Sequence, residues 1–226
     1  MTETNYPFVD IHTHFNGKRG AEQISIQNIF IQDFEQNSFE IPFSVGWHPW
    51  DYNKVEKVNW NEFLKSIENE SDLLAIGESG LDKAIEVSLD FQKEIFLKHI
   101  ELSEELKKPL IIHCVRAYSE ILEIRKSSKA QMPWIIHGFN ANIQIAKQCI
   151  QKGIIPSFGA FLFNEKTKAF RTIRELKGEL FFLETDDQEK YEIKDIYNQV
   201  AQIHRIELEE LKENIYITFK RLFDLS

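Results

Sequence analysis

Short apolar runs alternate along this chain with longer amphipathic stretches. Eight of the short runs read as β-strands: Phe8–His12, Ile24–Ile29, Pro42–Gly46, Leu73–Gly77, Pro109–His113, Pro133–His137, Ile154–Phe158 and Leu180–Glu184. Several are apolar on successive positions rather than alternate ones, the pattern of a parallel strand covered on both faces. Between them, Phe91, Ile95, Phe96, Ile100, Leu102 and Leu106 recur near helical spacing. Ile193, Ile196, Tyr197, Val200 and Ile203 form a second apolar stripe, and Leu208, Leu211, Ile215, Phe219 and Leu222 a third. Packing on a sheet is the expected use of such stripes. Strands alternating with helices predict an α/β fold, and eight strands are the number that closes a TIM-type (β/α)8 barrel. The first two strand runs lie too close together for an ordinary crossover helix, so the barrel is expected to be trimmed near its N-terminus. No Pro/Gly/Ser-rich linker or internal repeat divides the chain, and residues 1–226 are expected to form one domain.

The polar residues that interrupt this pattern fall at strand ends. His12 and His14 close the first strand, Glu78 follows Leu73–Gly77, and His113 and His137 end two successive strands. Asp186 closes the last strand, in Phe181-Phe-Leu-Glu-Thr-Asp186. In a parallel β/α barrel all C-terminal strand ends open onto one face, so these six side chains are expected to converge there as metal ligands. His12 and His14 are two apart and share one side of their strand. Asp10 has the same parity and can orient a ligand imidazole from behind. A carboxylate such as Glu78 can bridge two cations, one per oxygen, and Asp186 can bind a metal and take a proton from a metal-activated water. Cys114 alternates away from His113 and reads, like Cys149 on a helical stretch, as a buried thiol. His99 and His204 lie within amphipathic stretches and read as surface or packing residues.

Composition narrows the setting. Among 226 residues, 42% are apolar and 28% charged, ordinary for a globular chain. No run approaches the ~18 apolar residues of a membrane helix, so no membrane association is expected. The opening Met1-Thr-Glu-Thr-Asn-Tyr-Pro7 has no secretory pattern, and two cysteines do not make a disulfide framework. The expected compartment is therefore the cytoplasm, where the Asn69-Glu-Ser71 sequon would be silent. The net charge of −9 argues against a broad basic surface for long nucleic acid, though cations in a cleft would still attract a phosphate.

Taken in order, these motifs resemble those of the TatD family of metal-dependent hydrolases. Asp10-Ile-His-Thr-His14 is similar to the family's D-x-H-x-H, Gly46-Trp-His-Pro49 to its G-x-H-P, and Gly77-Glu-Ser-Gly-Leu-Asp82 to its G-E-x-G-L-D. Ile136-His-Gly-Phe139 is similar to its H-C-F, Glu184-Thr-Asp186 to its E-T-D, and Asn214–Phe223 to its final helix. The resemblance implies a TIM-type barrel with two divalent metals and phosphodiester hydrolysis, often as a DNase of 3′ to 5′ exonuclease character. It implies that His12, His14 and Asp186 hold one metal, that Glu78 bridges to a second completed by His113 and His137, and that His48 lies near the scissile phosphate. Four features depart from the pattern. Arg116 stands one position late in His113-Cys-Val-Arg-Ala117, and Lys83 replaces a tyrosine. Asp187-Gln188 stands where the family has a residue followed by proline, and an aromatic, proline-rich loop is missing. These departures touch substrate loops more than ligands.

The leading expectation is a metal-dependent phosphodiesterase acting on DNA ends or short single strands. Glu78 and Asp186 would serve catalysis, and His48, Arg116 and Lys83 would contact substrate. Trp47 and Trp50 offer stacking surfaces if exposed. The ligand types suit zinc, manganese or magnesium. A related barrel hydrolase of a small ester, lactone or amide is the alternative, and a non-catalytic metal-binding protein a second one. No stable protein partner is indicated.

Overall fold

In the computed structural model, residues 5–15, 20–36, 40–52, 59–68 and 70–225 are described, the side chains of residues 35 and 36 excepted. Residues 1–4 of the N-terminal stretch and Asn69 of the sequon lie outside them. Eight strands form one ring in chain order: β1 (Phe8–Thr13), β2 (Gln23–Phe30), β3 (Phe43–Gly46), β4 (Leu73–Asp82), β5 (Leu110–Val115), β6 (Trp134–Ile136), β7 (Ile154–Phe158) and β8 (Phe182–Leu183). Each pairs in parallel with the next, as in Ile29↔Val45, Ile111↔Ile135 and Phe158↔Leu183. The ring closes where Thr13 bridges Asp186: the His14 amide donates to the Asp186 carbonyl at 3.0 Å, and the Asp186 amide to the His12 carbonyl at 2.9 Å. The fold is the expected TIM-type barrel.

Among the described residues there are seven α-helices: α1 (Trp60–Ile67), α2 (Leu89–Leu106), α3 (Tyr118–Ser127), α4 (Ile143–Gln151), α5 (Lys168–Glu175), α6 (Ile193–His204) and α7 (Leu208–Leu222). Polar side chains start four of them by accepting from backbone amides, Asn59, Ser88, Asn142 and Thr167 at α1, α2, α4 and α5. The barrel is trimmed where the strand spacing indicates. Among the described residues no α-helix joins β1 to β2, and a 3-10 turn over Ile31–Gln36 precedes β3. The last two helices, α6 and α7, both pack against β1. The strands supply the core: Val9, Ile11, Val45, Ile76, Ile112, Ile135 and Phe182 are all fully buried.

The strand bounds shift by one or two residues in several cases, and two strands, β4 and β8, differ most from expectation. β4 runs on through Gly77-Glu-Ser-Gly-Leu-Asp82 to pair Ser79 with Ile112 and Gly80 with His113. Gly77 and Gly80 have φ of +118° and +156°, and a Cβ on either would collide with the carbonyl of Ile111 or His113. Two glycines thus let β4 lie against β5 where a side chain could not. At β8, Leu180 and Phe181 stay outside the ladder, and only Phe182–Leu183 pair.

Candidate metal centre

The ends of β1, β4, β5, β6 and β8 bring the six expected ligands to one focus. Glu78 is buried at its centre. Its Oε2 lies 3.3 Å from His12 Nε2 and 3.7 Å from His14 Nε2, while its Oε1 lies 2.7 Å from His113 Nδ1 and 2.6 Å from His137 Nε2. Asp186 Oδ1 faces His14 Nε2 at 3.4 Å and His12 Nε2 at 3.7 Å. The donor atoms fall into groups, His12–His14–Asp186, His12–Glu78–His137 and His48–Glu78–His113, each with its atoms within 4.8 Å of one another. Such clusters of imidazole and carboxylate can hold a divalent cation.

His12 supplies a test of that fit. The ring is fully buried, and neither nitrogen makes a hydrogen bond. A buried imidazole without partners is costly. Burial, aided by the charge on His137, pushes its pKa down and keeps the ring neutral, with a lone pair for a cation. Around it the carboxylates are held ionised. Burial alone would raise Glu78, but the charge on His137, hydrogen bonds from His113 and His137, and the close approach of His12 take it well below its usual range. Burial opposes protonation of His14 too, yet Asp186 and Glu78 lift it to about 9.

His48 enters the cluster differently from the six. Its Nε2 lies 3.2 Å from Glu78 Oε1 and 3.1 Å from His113 Nδ1, and its Nδ1 accepts from the Trp50 amide at 3.2 Å. A ring nitrogen that accepts from an amide carries no proton, so the neutral ring bears its hydrogen on Nε2. His48 therefore faces the centre as a donor, and proximity alone makes it part of a ligand triangle.

Residues outside the expected set hold this arrangement. Asp82 Oδ2 lies 3.3 Å from His113 Nε2 and accepts from the Trp50 indole at 2.8 Å. Its partners hold it down to about 2 against the effect of burial. Glu184 Oε1 accepts from the Gly138 amide and lies 3.7 Å from His137 Nδ1. Carboxylates behind ligand imidazoles fix ring orientation. Asp10 accepts from the amide and hydroxyl of Thr185 at 2.9 and 2.7 Å, which ties β1 to the end of β8. Asn28 on β2 accepts from the Glu78 amide at 2.9 Å and approaches Glu78 Oε2 through its Nδ2 at 3.5 Å. His99, on α2, packs internally and bonds at both ring nitrogens. Its Nε2 accepts from the Trp47 amide at 3.0 Å, and its Nδ1 donates to the Ile95 carbonyl at 2.9 Å. It thereby holds the segment that carries His48. His204 is likewise internal, bonded to the Ile173 carbonyl at 2.7 Å. A polar residue inside the apolar β2 run, and the parity of Asp82 with Glu78, were the available signals for Asn28 and Asp82.

Of the substrate candidates, Lys83 pairs with Glu120 on α3 at 2.8 Å, and Arg116 stands exposed at the end of β5 with a left-handed φ of 55°. Neither joins the ligand groups. Trp47 is 2% exposed and packs in the core, whereas Trp50 is 63% exposed and meets the His48 ring edge-on at 4.8 Å. Cys114 and Cys149 are both free and buried, as expected.

An eight-stranded parallel barrel with histidines and carboxylates converging at its strand ends has the form of a metal-dependent hydrolase. A sequence model of the family described as TatD related DNase matches residues 22–224, and the chain belongs to that TatD family of metal-dependent hydrolases. It is similar to the metal-dependent hydrolase YabD of Bacillus subtilis, 28% identical over 200 residues that cover 81% of this chain and 77% of YabD. It is also similar to the metal-dependent hydrolase MJ1582 of Methanocaldococcus jannaschii, 28% identical over 192 residues covering 80% and 75% of the two chains. The crystal structure of YjjV, a TatD homologue from Escherichia coli, superposes with a TM-score of 0.80 at 18% identity, over 97% of this chain and 98% of that one. Among the described residues no helix is long and apolar enough to cross a membrane.

Proposed function

We propose that this chain is a single-domain, divalent-metal-dependent phosphodiesterase that shortens DNA ends, in the 3′ to 5′ sense, within the cytoplasm. One observation carries the reading: the two oxygens of Glu78 face two different sets of histidines, the arrangement of a carboxylate shared between two cations. His12, His14 and Asp186 would hold one cation with Glu78, and His113 and His137 the other; zinc, manganese or magnesium would suit the donors. When bound, the cations supply an activated water, its pKa brought from 15.7 toward ~7, and neutralise charge on the phosphoryl oxygens. Asp186, partly exposed at the rim, takes the proton of the attacking water. His48 directs its Nε2–H at a phosphoryl oxygen. Arg116 adds charge at the rim, whereas the ion pair of Lys83 with Glu120 leaves Lys83 a lesser part.

A DNA end rather than a long duplex suits the net charge of −9, and the exposed ring of Trp50 beside His48 suits a base. The description of the matching family as DNases points the same way. The test is hydrolysis of a 3′-labelled single-stranded oligonucleotide by metal-stripped protein titrated with Mg²⁺, Mn²⁺ and Zn²⁺. Metal-dependent shortening is expected, reduced about a thousandfold in Glu78→Gln, a loss typical of removing a group that stabilises developing charge. No shortening with any cation, in folded protein that binds metal, would overturn the nuclease assignment and turn the search to small esters, lactones and amides.

A further inference from the structure

A cavity of about 250 Å³ opens beside Asp186, between the loops that follow β6, β7 and β8. Phe161 and Tyr191 are the aromatic side chains that line it, with Glu184 and Gln188 among its polar lining groups. Phe161 sits in the 3-10 turn Ala160–Phe163 after β7 and is 48% exposed, with no aromatic ring stacked on it among the described residues. Tyr191 differs: its ring lies flat on Phe163, centroids 3.7 Å apart at 6°, with Lys190 Nζ 4.9 Å from its centroid. Tyr191 is thus a fixed wall, and Phe161 presents a free face. Glu184 is fully buried; its Oε1 accepts from the Gly138 amide, and its Oε2 has no hydrogen-bond partner. Among the lining groups it is a buried acceptor still lacking a donor.

These features define what fits. The volume falls below the ~300–1,000 Å³ of pockets that enclose a drug-sized ligand, so it takes one ring and not a length of polymer. The free aromatic face calls for a planar ring, and the unpartnered carboxylate oxygen calls for a ring bearing an N–H donor. Every nucleobase meets both conditions. Because Asp186 lines the cavity and also faces His12 and His14, a ring held there lies next to the metal centre.

We propose that the cavity between Phe161 and Tyr191 is a nucleobase subsite for the nucleotide at the scissile bond, with Phe161 as its stacking platform and Glu184 as its hydrogen-bond acceptor. This rests on the phosphodiesterase reading for its link to catalysis, but ring binding can be measured without turnover. The experiment is calorimetric titration of metal-loaded protein with dCMP and, separately, with deoxyribose 5-phosphate, which lacks only the base. Wild type is expected to bind dCMP at least tenfold more tightly. Phe161→Ala is expected to bring dCMP down to the affinity of the sugar phosphate, because stacking on one aromatic is worth ~1–3 kcal/mol per base. Phe161→Tyr, which keeps the ring, is expected to restore the preference. Equal affinity of the two probes in wild type, absence of binding by both, or an undiminished preference in Phe161→Ala would overturn the subsite. Failure of the nuclease assignment is recognised separately, as an absence of oligonucleotide hydrolysis by wild type.

Discussion

His113 and His137 are enclosed and backed, whereas His14 and Asp186 stand at an open rim. On the enclosed side, Asp82 and Glu184 lie behind the two imidazoles, and the rings of His48 and Trp50 lie edge-on to His113. On the open side, the side chains of His14 and Asp186 keep 27% and 33% of their surface, and the cavity lined by Phe161 begins at Asp186. His12, shared between both sides, is buried and unpartnered. Imidazoles held from behind keep their geometry when a ligand leaves, and a catalytic metal needs a position free for water or substrate. Retention of a cation is therefore expected on the enclosed side and exchange on the open one.

Acid offers the largest expected perturbation of the enclosed side. Burial pushes His99 down to about 4, with its bond to the Ile95 carbonyl opposing and the charge of Lys98 adding. The folded state therefore keeps His99 neutral while the unfolded chain protonates near 6.5. A depressed histidine contributes stability that is complete above about pH 6.5 and is lost as pH falls toward 4, roughly 3 kcal/mol for this buried group. Urea unfolding of metal-free protein between pH 7 and 4 is expected to show this loss, and His99→Gln is expected to flatten that part of the profile. An unchanged slope in the variant would mean that His99 does not set the acid limit.

A smaller effect separates the two sides directly. Asp82→Asn removes the charge behind His113 and is expected to weaken one of two bound cations by about 10–100-fold, as loss of such a backing group commonly does. The other cation, held at the open rim, is expected to keep its affinity. Isothermal titration with Zn²⁺ reads both. Equal weakening of the two would erase the division between a retaining and an exchanging side.

Much of the barrel was legible because β-branched runs such as Leu110-Ile-Ile and Trp134-Ile-Ile carry their own strand preference, and a histidine ending such a run has few other uses. The six candidate ligands were read from that placement, and the fold brings their side chains together. What stayed hidden depends on contacts distant in sequence. β4 continues past Gly77 only because glycines allow it to approach the β5 carbonyls, which no period-two pattern reports. Trp47 and Trp50 look alike in sequence, but His99, on another element, draws the first inward. Lys83 reads as a free cation until Glu120, 37 residues away, is brought beside it. The bonds of Asp10 to Thr185, 175 residues away, arise only when β8 closes on β1.

The shared role of Glu78 is the claim on which both sides depend. Counting Zn²⁺ ions by native mass spectrometry, in wild type and in Glu78→Ala checked for folding by circular dichroism, tests it most directly. Two ions per chain are expected in wild type and at most one, weakly held, in the variant. Two ions retained by Glu78→Ala at the same free Zn²⁺, or a single ion in saturated wild type, would contradict it.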